Sequence, residues 1–114
     1  DYQPSDEELA ARITRSMERS NYPEGYSRHL AAIIANGSRV ELLKKITAPT
    51  LVIHGKDDAL VPVECGIDTA KHIRGSQLEV IVGMGHDLPI ELVPTFVKLI
   101  SEHALAAQQR VTAA

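Results

Sequence analysis

Two short polar loops hold the side chains in this sequence best suited to acid–base chemistry. The first, His54-Gly55-Lys56-Asp57-Asp58, offers two carboxylates; the second, Gly83-Met84-Gly85-His86-Asp87, offers an imidazole beside glycine. A carboxylate that accepts a hydrogen bond from one imidazole nitrogen fixes the tautomer. It leaves the other nitrogen able to take a proton from a nucleophile, and it stabilises the imidazolium that forms. The same residue types have plainer uses: an Asp after a strand commonly organises a turn or a helix start, and a His in a glycine-rich loop is commonly solvated. Whether Asp and His meet depends on the elements that carry them.

At Pro49 helical periodicity gives way to a run of β-formers, Thr50-Leu51-Val52-Ile53, without polar alternation. Such a run predicts a strand covered on both faces, as in a parallel sheet. A helix is expected from Pro62, with Val63, Ile67, Ala70 and Ile73 as its apolar stripe and Gly75 closing it. A second strand follows in Leu78-Glu79-Val80-Ile81-Val82. The last helix is expected to start between Pro89 and Pro94, where proline suits a first turn, and to bury Val93, Phe96, Val97 and Ile100. Strand, loop, helix, strand, loop, helix is the order of an α/β fold with parallel strands. In such sheets catalytic groups gather beyond the carboxyl ends of the strands, where both polar loops lie.

The first part of the chain reads as helical. Ser5-Asp6-Glu7-Glu8 has the form of a capping box, followed by Leu9, Ile13 and Met17 at helical spacing. A second helix carries Leu30, Ile33 and Ile34 and stops at Asn36-Gly37; Ser38-Arg39-Val40-Glu41 then repeats the box before a short third helix with Leu42, Leu43 and Ile46. Within 114 residues, 44% are hydrophobic and 24% charged, the usage of an ordinary globular domain. A net charge of −3 argues against nucleic acid or an anionic membrane as partner, and no apolar run approaches the roughly 20 residues of a spanning helix. Cys65 is the only cysteine, so neither an internal disulfide nor a zinc site of several thiolates is expected, and a reducing cytoplasm is the default compartment. With one Phe, three Tyr and no Trp, the core must be aliphatic. Asp1-Tyr2-Gln3-Pro4 has no leader pattern and reads like the middle of a longer chain.

The wording of the two loops is more specific than their chemistry. Ala48-Pro49-Thr50-Leu51-Val52-Ile53-His54-Gly55-Lys56-Asp57-Asp58-Ala59-Leu60-Val61-Pro62, followed after one helix by Gly83-Met84-Gly85-His86, resembles the C-terminal part of the α/β-hydrolase superfamily, over roughly residues 46–103. The resemblance implies that Asp58, three positions after the glycine of His-Gly, is the triad acid and that His86 is the catalytic base. It also implies that residues 1–37 are the remnant of a helical cap domain and residues 38–107 the C-terminal part of the catalytic domain; residues 108–114 by themselves read as a flexible tail. Within the family the wording is similar to capped esterases that cleave small carboxylic or methyl esters, with Val61 and Leu88 beside the substrate and no cofactor or metal. The family's nucleophile sits on a Gly-x-Ser-x-Gly elbow ahead of the acid, and no serine here lies between glycines at that spacing. The expected function is therefore that of a C-terminal fragment of a serine hydrolase, holding the acid and the histidine of a triad and inactive alone. Dehalogenase, epoxide hydrolase, lactonase, C–C hydrolase or cofactor-free haloperoxidase chemistry stays open, as does a non-catalytic interaction module.

Other residues carry plainer expectations. Asp57 is expected to be a solvated neighbour of Asp58, His54 a packed, hydrogen-bonded histidine, and Cys65 a buried, alanine-like residue. His29, His72 and His103 read as surface or packing positions, and Gly83 and Gly85 lack the pattern of a nucleotide loop. Two apolar strands need neighbours, so the N-terminal part of the same hydrolase or a second copy of the chain is the expected partner, beside a small ester substrate.

Overall fold

The change of periodicity at Pro49 is a change from helix to strand in the computed structural model, which describes Tyr2 and residues 4–112. The elements are α1 (Asp6–Arg19), α2 (Pro23–Asn36), α3 (Val40–Leu43), β1 (Leu51–Gly55), α4 (Val63–His72), β2 (Gln77–Ile81), a 3-10 turn at Ile90–Leu92 and α5 (Val93–Thr112). They divide into two units, one built on α1 and α2 and one starting at Val40.

In the first unit the capping box forms. Ser5 Oγ accepts from the Glu8 N–H at 3.3 Å, and Glu8 Oε2 accepts from the Ser5 N–H at 2.9 Å. The bonds from Ser5 hold the Glu8 carboxyl below its ordinary range. Acids at Asp6, Glu7 and Glu8 face the positive end of α1, and Arg19 lies in its last turn. The apolar stripe of Leu9, Ile13 and Met17 is exposed.

In the second unit β1 and β2 pair in parallel, from Leu51 opposite Gln77 to Gly55 opposite Ile81, and α4 packs on both strands. Ile73, Met84 and Leu92 form its buried apolar core. The strands differ from expectation in one respect. β1 is only half-buried up to His54, and in β2 the side chains of Val80 and its neighbour Glu79 are exposed. A pair of strands offers more apolar surface than one covering helix conceals. Cys65 is likewise exposed rather than buried, because it lies on the turn of α4 that faces away from the sheet while Gly66 faces in. The last helix runs through residues 108–112, where a tail was expected, since this stretch has no glycine or proline to stop it; Ala113 and Ala114 lie outside the described residues.

Candidate active site

Because Gly55 lies opposite Ile81, both chains leave the sheet at the same level, and backbone bonds continue past the strands to tie the loops together. The Lys56 N–H donates to Ile81 O at 2.9 Å and the Asp57 N–H to Met84 O at 3.0 Å. Gly55 makes this closeness possible. A Cβ there would lie 2.3 Å from Met84 O and 2.4 Å from Gly85 O, distances no side chain tolerates. Asp57 adds a third tie, its Oδ2 accepting from the Gly83 N–H at 2.7 Å.

Asp58 heads a tight turn whose amides fold back on its own carboxylate. Oδ1 accepts from the N–H groups of Leu60 at 2.9 Å and Val61 at 2.8 Å, an Asx-type arrangement that saturates this oxygen. Oδ2 is left for His86, whose Nδ1 lies 2.9 Å away. The Asp58 side chain is 4% exposed and that of His86 54% exposed, so the acid is enclosed while the imidazole stands open. The Val61 N–H does most to hold the Asp58 carboxyl below its ordinary range; burial opposes it, and the bonds to His86 and Leu60 add to it. An ionised carboxylate is an acceptor only, so His86 carries its proton on Nδ1 and presents the Nε2 lone pair. That is the arrangement of a general base held in one tautomer by an acid.

His54, on β1, is packed and hydrogen-bonded as expected, with Nε2 2.8 Å from Val61 O. Gly66 of α4 lies flat against its ring, where a Cβ would come within 2.6 Å of Nδ1. Of the two residues expected beside the substrate, Val61 enters the site through its backbone, and Leu88, two residues past His86, is exposed. Asp57 is exposed but not merely solvated, a bracing role that no spacing in the sequence signals. His29 is exposed, His72 bonds to Asp68 O on its own helix, and His103 of α5 meets Gln77 Oε1 at the start of β2. Among the described residues no three His, Cys, Asp or Glu cluster as metal ligands, and no helix is long and apolar enough to cross a membrane.

No protein-family model matches the chain. It is 32% identical over 100 residues, 84% of its length and 34% of the relative's, to a 2-hydroxy-6-oxononadienedioate/2-hydroxy-6-oxononatrienedioate hydrolase of Cupriavidus pinatubonensis. It is 31% identical over 94 residues to monoacylglycerol lipase abhd6-B of Xenopus laevis, covering 80% of the chain and 28% of the lipase. A non-heme chloroperoxidase, CPO-A1 of Kitasatospora aureofaciens, is 44% identical over 55 residues, 47% of the chain and 19% of the relative. All three are α/β-hydrolases. The chain belongs to the same superfamily. Its parallel strands and covering helices are those of the C-terminal part of an α/β-hydrolase fold, and it spans about a third of the length of the curated relatives it matches.

Proposed function

We propose that this α/β-hydrolase chain supplies the acid and the base of a serine hydrolase that cleaves a small carboxylic ester. The observation that carries the reading is the 2.9 Å bond between His86 Nδ1 and the enclosed Asp58 carboxylate. His86 Nε2 takes the proton of a serine hydroxyl, supplied from outside these residues, as its oxygen bonds to the ester carbonyl carbon. Asp58 stabilises the imidazolium, which returns the proton to the departing alkoxide; Nε2 then deprotonates the water that releases the acid. In this reading α1 and α2 belong to a cap, Val61 and Leu88 border the substrate, the serine comes from the N-terminal part of the hydrolase, and that part or a second copy of the chain covers the open strand edge. Alone, the chain turns over no ester, having an imidazole without a hydroxyl to activate.

A second reading is hydrolysis of a carbon–carbon bond next to a ketone. It is favoured by relatives named as hydrolases of 2-hydroxy-6-oxo dienoates, one of them from Pseudomonas putida. The full-length enzyme is to be assayed with a small activated ester and with a 6-oxo dienoate, beside its His86→Ala variant. Ester turnover lost in the variant supports the first reading. Cleavage of the dienoate alone, lost in the variant, supports the second. Turnover unchanged in His86→Ala overturns both.

A further inference from the structure

Two histidines face Asp58, and the hydrolytic scheme uses only one. His54 Nε2 lies 3.6 Å from Asp58 Oδ2, the oxygen that receives His86, and 2.8 Å from the carbonyl of Val61. At 3.6 Å there is no hydrogen bond to the carboxylate. The bond is to Val61, and a carbonyl accepts only, so His54 donates through an Nε2–H. The same Val61 residue donates its own N–H to Asp58 Oδ1 at 2.8 Å. His54 therefore grips the turn that grips the acid.

His54 is well placed to do so. It sits on a strand, its side chain is 14% exposed, and Gly66 of α4 closes against the ring. We infer that His54 is a positioning residue: by holding the Val61 carbonyl it fixes the Asp58 carboxylate in the orientation that keeps the proton of His86 on Nδ1. The inference rests on the Asp58–His86 reading above and adds to it a residue that touches neither substrate nor His86. Without the His54 donor the Val61–Pro62 peptide loses its anchor, the Leu60–Val61 amide joined to it through the Val61 Cα is held less firmly on Oδ1, and Oδ2 no longer points at one nitrogen. A neutral imidazole released from such a partner distributes its proton over both nitrogens.

The tautomer of His86 is the readout, because a loss of stability alone does not change which nitrogen carries the proton. It is measured by nitrogen-15 NMR of the histidine-labelled chain at alkaline pH, where imidazoles are neutral. Four variants are compared: His54→Leu, without a donor; His54→Asn, whose shorter amide stops short of Val61 O; His54→Gln, whose amide reaches the place of Nε2; and Asp58→Asn. The expected result is a roughly twofold or greater fall in the Nδ1–H share of His86 in His54→Leu and His54→Asn, and restoration in His54→Gln. If Asp58→Asn shifts the tautomer while His54→Leu and His54→Asn leave it as in the parent chain, the positioning role is overturned and the acid–base pair stands. A His54→Gln variant as disturbed as His54→Asn also overturns it, since the ring and not its donor would then matter. If Asp58→Asn has no effect on His86, the acid–base reading falls, and the positioning role with it. Should His54→Leu fail to fold, the Asn and Gln pair decides the question.

Discussion

Asp58 Oδ2 and His86 Nδ1 lie 2.9 Å apart although 28 residues separate them in the chain. The parallel register of β1 and β2 brings them together, and the two amides on Oδ1 decide which oxygen faces the imidazole. In the full-length enzyme Asp58→Asn is expected to lower kcat by about 10⁴-fold with a small change in KM, because an amide cannot hold the Nδ1–H tautomer and the imidazolium at once. Steady-state kinetics on the proposed ester check this; a loss below tenfold would remove Asp58 from the mechanism.

Gly55→Ala tests the closeness of the two loops. Its Cβ would meet the Met84 and Gly85 carbonyl oxygens, both backbone atoms that no rotamer change can move. A loss of about 3 kcal/mol in unfolding free energy is expected from overpacking of this kind, measured by urea denaturation. An unchanged midpoint would show that the loops separate freely.

Asp57→Ala removes the bond to the Gly83 N–H and leaves the backbone bond from Asp57 N–H to Met84 O intact. The exposed position limits the expected cost to about 1 kcal/mol by the same denaturation. Turnover in the full-length enzyme should fall far less than in Asp58→Asn. Equal losses in the two variants would mean that turnover depends on Asp57 as much as on Asp58.

Acid should weaken the second unit through Asp58. Its carboxyl is held below the ordinary value of 3.8, chiefly by the Val61 N–H, so the folded state binds the proton less readily than the unfolded chain. The resulting stability is complete above that ordinary value and is lost as pH falls through the folded one. Urea midpoints in the parent chain are expected to drop across that acid window, and Asp58→Asn should flatten the drop. A drop of the same depth in the variant would place the sensitivity elsewhere, for instance at Glu8.

The parallel pair was legible because Leu51-Val52-Ile53 and Val80-Ile81-Val82 lack the alternation of a half-solvated strand, and the meeting of Asp58 with His86 because their loops carry the family's wording. The ends of the strands were less so. β1 runs on to Gly55 through a histidine, and β2 begins at the polar Gln77, since ladder hydrogen bonds such as that from the Gln77 N–H to Thr50 O ignore side-chain type. The roles of Asp57 and His54 rest on partners far along the chain or on a backbone carbonyl, which no residue spacing encodes. Cys65 misled because the stripe of α4 is narrow: Gly66, an unremarkable letter in the sequence, takes the inward position beside it.

The grip on Asp58 Oδ1 comes from main-chain amides, and amides are supplied by every residue except proline. The side chains of Leu60 and Val61 are thereby released from the task of holding the acid. Mutation can trade them for larger, smaller or polar ones while the carboxylate stays in place. In the reading proposed above, drift at these two positions can reshape the surface beside Asp58 while the acid–base pair is left as it was.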